Sequence, residues 1–185
     1  SGFSPNSKKI HCDIDPSSVN KNVRVDLPVI GDAGEILKAL LAEMKKRRFA
    51  PNAPSLEKWW GQINEWRKRD CLGFSQKGSI IKPQHAIRRL CEMTTGHDVY
   101  VTTEVGQHQM WAAQYFDFQQ PNRWMTSGGL GTMGYGLPAA LGVQVAHPQA
   151  TVIDIAGEAS FMMNMQELST LGQYSLPVKM FIINN

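Results

Sequence analysis

The sequence predicts an α/β protein, a parallel sheet with helices on both faces, preceded by part of a second α/β domain. Three observations carry this. Short apolar runs alternate with segments of helical spacing, polar or glycine-rich stretches follow several of those runs, and a stretch rich in Pro and Trp separates two such alternations. With 185 residues, 42% hydrophobic and 19% charged, the chain can bury one substantial core or two small ones.

Residues 1–48 read as the carboxy-terminal part of one α/β domain. Lys9 to Ile14 alternates into a short strand that Pro16 breaks, and Leu27 to Ile30 forms a second strand before Gly31-Asp32-Ala33. From Gly34, Ile36, Leu37, Leu40, Leu41 and Met44 recur at helical spacing, and Lys45 to Arg48 lies where the helix dipole favours cations. Residues 49–81 read as a linker with Pro51, Pro54, three tryptophans (Trp59, Trp60, Trp66) and a charged helical stretch from Leu56 to Arg69. Aromatic residues among Lys and Arg can mark a nucleic-acid surface, but anchoring of a connecting helix explains them better.

Residues 82–185 read as the second domain. Pro83 starts a helix with Ala86, Ile87, Leu90 and Met93 on one face, and strand Val99 to Thr103 follows. Gly128 to Gly136 opens a small-residue helix through Ala146. Strand Val152 to Ala156, a turn at Gly157-Glu158-Ala159, a helix from Phe161 to Leu171 and strand Val178 to Ile183 complete the unit.

Composition excludes several classes. A net charge of +3, scattered apart from one short run, makes no case for nucleic acid, and no stretch reaches the roughly 18 apolar residues needed to cross a membrane. Cys12, Cys71 and Cys91 are odd in number and far apart, which argues against both a disulfide framework and a zinc site. The apolar run Val178 to Ile183 stands directly before Asn184-Asn185, so the chain is expected to be a piece of a longer protein.

In open α/β sheets, ligands bind beyond the carboxyl ends of the strands, where helix N-termini offer N–H groups to anions. Three stretches there invite a phosphate: Glu104 to Gln109, Gly128 to Gly136, and Gly157 to Ser160. Singly they are weak. Glycines at a strand-to-helix turn more often serve tight packing, a lone His108 is more often a hydrogen-bonder of core or surface, and Met133 by composition is core packing. No Lys-Ser or Lys-Thr follows the glycines as a P-loop needs, and their place between distant strands does not suit an initial dinucleotide-binding βαβ unit. Glu158 and Asn185 are sharper: at adjacent strand ends they would offer two hard oxygen ligands to a Mg²⁺ bridging a diphosphate.

That pair resembles the thiamine diphosphate fingerprint, Gly-Asp-Gly or Gly-Asp-Ala followed by a helix, a strand and Asn-Asn, with 27 residues from Glu158 to Asn185. The stretches TTEVGQHQMWAAQ, RWMTSGGLGTMGYGLPAALG and MNMQELSTLGQYSLPVKMFIINN narrow the likeness to the acetolactate synthase (acetohydroxyacid synthase) family, and KKIHCDIDPSSVNKN with GDAG is similar to that family's central FAD-binding domain.

The resemblance implies the thiamine diphosphate-binding fold. It implies that Gln107 and His108 meet the diphosphate over a turn shaped by Val105 and Gly106. Gly131 and Met133 would hold the aminopyrimidine, and Ala159 and Ser160, after Gly157, would turn helix N–H groups to the phosphate. Glu158 and Asn185 would ligate Mg²⁺, and Asp13 and Asp32 would contact FAD, although carboxylates at strand ends are ordinary helix caps about as often. The family has Asp where this chain has Glu158. The extra methylene either weakens Mg²⁺ binding or is absorbed by a withdrawn backbone.

The activity implied is decarboxylation of pyruvate and carboligation to a second 2-oxoacid such as 2-oxobutyrate, the first common step of branched-chain amino-acid synthesis. FAD would be structural. A homodimer or homotetramer is implied, with room for a regulatory small subunit, in the cytoplasm of a bacterium or in a plastid or mitochondrion of a eukaryote. The family's activating glutamate lies in an amino-terminal domain and acts across a dimer interface. No catalytic residue is therefore expected in this chain, which by itself is expected to be inactive. Glyoxylate carboligase, pyruvate oxidase, sulfoacetaldehyde acetyltransferase and a non-catalytic binding module on the same fold are the alternatives.

Overall fold

Strands Ile10–Asp13 (β1) and Leu27–Ile30 (β2) pair in parallel in the computed structural model, which describes residue 2 and residues 4–50 and 53–184. The chain divides into two units, Ser1–Arg69 and Asp70–Asn185, and the division falls inside the stretch 49–81. In the first unit helix Ala33–Lys46 (α1) follows β2, with Lys45 and Lys46 in its last turn. Its apolar stripe stays open, Leu37, Leu40 and Leu41 all being exposed. Helix Ala53–Arg67 (α2) carries the three tryptophans, and Trp59 meets Trp66 edge-on with ring centroids 5.5 Å apart.

The second unit is a four-stranded parallel sheet. Strand Val99–Thr103 (β3) lies between Trp124–Thr126 (β4) and Thr151–Gly157 (β5), and Lys179–Ile183 (β6) pairs with the far side of β5. Side chains alternate faces along a strand. Val101, Ile153, Ile155 and Ile183 therefore pack on one face with Ile87 of helix Pro83–Met93 (α3) and with Ala112 of helix Gln107–Tyr115 (α4). On the other face Val152 packs with Leu137 and Ala140 of helix Gly136–Ala146 (α5) and with Leu171. Each fully buried large aliphatic side chain contributes about 1.5–3 kcal/mol over leaving it exposed.

Three local expectations change. The helix expected from Phe161 to Leu171 is two short helices, Glu158–Met163 (α6) and Glu167–Gln173 (α7), because the Asn164 side chain leaves the helix line to donate to the Gly134 carbonyl. Glu158 and Ala159 open α6 instead of forming a separate turn. On α3, Met93 turns out to solvent, 71% exposed, while Ile87 is fully buried.

Candidate functional site

The carboxyl ends of β3 and β5 lie side by side because the two strands are neighbours in register, Thr103 opposite Ile155. β3 runs on into Val105 and Gly106, β5 ends at Gly157, and β4 leads into the glycine-rich stretch. Val105 to His108, Met133 and Gly157 to Ser160 line one cleft of about 220 Å³ there. Two larger cavities, about 590 and 640 Å³, hold residues such as Asp98 before β3 and Pro148 after α5, at the sheet's opposite end. Ligands of parallel sheets gather at carboxyl ends, so position outweighs volume here.

His108 forms part of the cleft wall from the first turn of α4, not from a loop, and is 6% exposed. Two glycines make room for its ring. A Cβ on Gly106 would stand 2.9 Å from His108 Cε1, and one on Gly157 would stand 2.8 Å from Nδ1. Gly106 also has φ 154° and ψ −163°, a backbone region essentially reserved for glycine. Burial pushes the His108 pKa down, opposed by a hydrogen bond to the Glu104 backbone and by the charge of Glu158. Its Nε2 is buried without a partner among the described residues. Nε2 can meet a phosphate oxygen only as a donor, carrying a proton, and leaving it buried and unpaired is costly.

Ser160 is 1% exposed, and its hydroxyl donates to the Val105 carbonyl at 3.2 Å, tying α6 to the loop after β3. Gly131, with φ 68°, is next to the cleft but does not line it; its N–H donates to the Ser127 carbonyl at 3.1 Å. Met133 is 38% exposed into the cleft. The stretch that carries it is held by Asn164, which Gln166 Nε2 orients through a 3.0 Å bond to Asn164 Oδ1.

Glu158 is exposed at the start of α6. Register pairs Gly157 with Ile183, so Glu158 and Asn184 each leave adjacent strands at the same level. Asn185, expected as the second metal ligand, lies outside the described residues. Among the described residues no three His, Cys, Asp or Glu side chains gather to hold a metal alone. A hard divalent ion at Glu158 would share its shell with ligand oxygens, as Mg²⁺ commonly does with phosphates.

In the first unit Asp13 ends β1, Asp32 stands just past the same end of β2, and both serve the backbone. Asp32 Oδ1 caps α1, accepting Gly34 N–H at 2.9 Å and Glu35 N–H at 3.1 Å. Asp13 Oδ1 accepts Asp15 N–H at 2.9 Å, and its Oδ2 lies 3.4 Å from His11 Nε2.

Sequence reading missed Glu104, Asp154 and Asn164. Glu104 and Asp154 are fully buried on the α5 face of the sheet. Thr102 Oγ1 donates to Asp154 Oδ1 at 3.1 Å, and Leu137 N–H donates to Glu104 Oε1 at 3.1 Å. The signal for Asp154 was present: a charged residue inside the apolar run Val152 to Ala156 is either out of register or buried at a cost.

Comparison with known proteins gives two family matches. Residues 104–185 match the C-terminal TPP binding domain of thiamine pyrophosphate enzymes, and residues 1–40 match the central domain of those enzymes. The chain is 48% identical over 183 residues to the acetolactate synthase isozyme 3 large subunit of Escherichia coli (strain K12), covering 99% of this chain and 32% of that protein. It is 45% identical to the acetolactate synthase large subunit of Haemophilus influenzae, again over 99% of this chain and 32% of the relative. With the large subunit of Porphyra purpurea the identity is 45%, over 99% and 30%. The chain spans about a third of the length of these relatives.

Proposed function

This chain belongs to the thiamine pyrophosphate enzyme family, and on that premise we propose that the protein carrying it is an acetolactate synthase. It decarboxylates pyruvate and joins the remaining two-carbon unit to a second 2-oxoacid, pyruvate or 2-oxobutyrate. The observation that carries the reading is the gathering of Val105 to His108, Met133 and Gly157 to Ser160 round one cleft at the carboxyl ends of β3 and β5. The identity to three acetolactate synthase large subunits along nearly the whole chain supports the same reaction.

The roles are those the family resemblance implies, set against the chemistry of each side chain. His108, its Nε2 without a partner among the described residues, receives the diphosphate together with Gln107, and the glycines at 106 and 157 make room for that ring. Met133 presents an apolar side chain to the rings of the cofactor, with Gly131 behind it. Glu158 and Asn185 would hold Mg²⁺, and Ala159 and Ser160 would offer the first turn of α6 to the diphosphate. Bound thiamine diphosphate supplies the stabilisation of negative charge that decarboxylation requires. Asp13 and Asp32 would contact a structural FAD, and the protein works as a homodimer or homotetramer with room for a regulatory small subunit. It acts in the cytoplasm of a bacterium or in a plastid or mitochondrion of a eukaryote; among the described residues no helix is long and apolar enough to cross a membrane.

The test is acetolactate formation from pyruvate by the protein carrying this chain, with thiamine diphosphate and Mg²⁺ supplied. Absence of acetolactate, with glyoxylate or sulfoacetaldehyde consumed instead, overturns the assignment. A Glu158→Asp variant sharpens the metal role: shortening the side chain is expected to tighten Mg²⁺ binding by about tenfold or less, because Mg²⁺ demands near-ideal octahedral geometry. An unchanged affinity would mean that the backbone at residue 158 already absorbs the extra methylene.

A further inference from the structure

Glu104 is the last residue before the loop that enters the cleft, and it is 0% exposed. Nothing on the sequence marks it for burial. Its Oε1 accepts the Leu137 backbone N–H at 3.1 Å, and its Oε2 is buried without a partner among the described residues. Helix α5 needs that bond, because Tyr135 at its cap position is in helical backbone and offers no side-chain cap. A helix N-terminus with orphan N–H groups favours a carboxylate, and such a bond is among the stronger hydrogen bonds a protein makes. Glu104 therefore caps α5 from another strand, 33 residues away.

The consequence is geometric. One side of the Glu104 backbone leads into Val105 to His108, and the helix it caps is the exit of Gly131 to Gly136. Gly136 completes the junction: a Cβ there would lie 2.9 Å from Glu104 N and 3.0 Å from Thr103 C, so only glycine lets the two chains meet. We propose that Glu104 is a positioning residue for the cofactor cleft, its carboxylate locking the β3 loop and the Met133 loop at one spacing. The proposal rests on the thiamine diphosphate reading above.

Asp154 supports it from the neighbouring strand. Its Oδ1 takes the Thr102 hydroxyl at 3.1 Å and its Oδ2 is buried and unpartnered among the described residues. Burial, and then the charge of Glu104, push its pKa up to about 7. Asp154 thus keeps its proton up to about neutral pH and spares Glu104 a second full charge at its side.

The experiment compares Glu104→Ala, Glu104→Gln and Glu104→Asp in the protein carrying this chain, reading the KM for thiamine diphosphate, kcat at saturating cofactor, and apo Tm. Glu104→Ala is expected to raise the cofactor KM about tenfold or more, with kcat at saturation within about twofold. Glu104→Gln keeps an oxygen for Leu137 N–H and should restore KM to within about threefold, while Glu104→Asp, one methylene too short, falls between. A lowered Tm with an unchanged cofactor KM in Glu104→Ala would overturn the proposal, and Glu104→Asp answers the same question if the alanine variant does not fold. Failure of the unsubstituted protein to bind thiamine diphosphate would overturn the cofactor reading itself and the positioning role with it, a result distinguishable because no substitution is involved.

Discussion

Both units place carboxylates near the ends of parallel strands, and the two sets have opposite surroundings. Asp32, exposed, spends one oxygen capping α1, and half-buried Asp13 holds its own turn. Glu104 and Asp154, both fully buried, each satisfy one oxygen inside the protein and leave the other without a partner among the described residues. Water makes the difference. An exposed cap contributes about 1 kcal/mol and can be replaced, whereas a buried carboxyl is held at a cost that ties its protonation to the stability of everything packed on it.

Asp154 gives the largest expected effect. Its folded pKa is raised from 3.8 to about 7, so between those values the folded state holds a proton that the unfolded state has released. Stability must then fall as pH rises across that window and level off above it. The shift corresponds to on the order of 4 kcal/mol. Thr102 and Glu104 face Asp154 from β3, Gly136 faces it from α5, and Met180 is its β6 pairing partner; Glu104 is the charged group among these. Asp154→Asn keeps an acceptor for Thr102 and removes the titration, so the stability of the variant relative to the native chain should climb from pH 4 to pH 8 in denaturant titrations. His108, whose pKa is lowered, adds the opposite slope below its unfolded value of 6.5 in both proteins, and it cancels in the difference. A difference flat in pH would mean that Asp154 is solvated.

The second effect contrasts two glycines that each touch one of these carboxylates. A Cβ at Gly136 would run into Asp154 Oδ1 and against the backbone of residues 103 and 104, where nothing can give. Gly136→Ala should cost about 3 kcal/mol, at the upper end of overpacking effects. A Cβ at Gly34 would meet only Asp32 Oδ1, at 3.1 Å, inside a helix where Ala is the better former. Gly34→Ala should therefore change stability by less than about 1 kcal/mol in either direction. Equal effects at the two positions, read from thermal unfolding, would abolish the distinction between the units.

The same contrast explains what the sequence shows and what it hides. β2, β3 and α1 are legible because apolar alternation and helical spacing are local signals, as are the capping Asp32 and the basic residues closing the helix. The cleft-forming stretches are legible as motifs at strand ends. Helix α4 is not: Gln107-His108-Gln109 opens it without a side-chain cap, and no apolar stripe follows, since the buried face is His108 and Ala112. β4 is three residues long, too short for alternation to register. The break between α6 and α7 depends on Asn164 reaching Gly134, 30 residues away. Glu104 reads as one more polar residue at a strand end, and only its contact with Leu137, 33 residues on, makes it a core residue. What is hidden is therefore tertiary: long-range partners that turn polar side chains inward.

The smallest effect tests the solvated side of the contrast. Asp32 sits outside the helix in extended backbone, φ −62° and ψ 132°, with one oxygen shared between two N–H groups of the first turn of α1. Asp32→Ala removes both bonds but leaves those N–H groups open to water, so the cost should be about 1 kcal/mol, the usual size for a lost exposed cap. Asp32→Asn keeps the acceptor and should cost only a few tenths of a kcal/mol. Added salt should erase most of the remaining difference between Asp and Asn, because an exposed charge at a helix end is screened within about 10 Å at 0.1 M. Urea unfolding of the three proteins at low and high salt reads all of this at once. A loss well beyond about 2 kcal/mol in Asp32→Ala would show that Asp32 is anchored like Glu104, and that the two units treat their strand-end carboxylates alike.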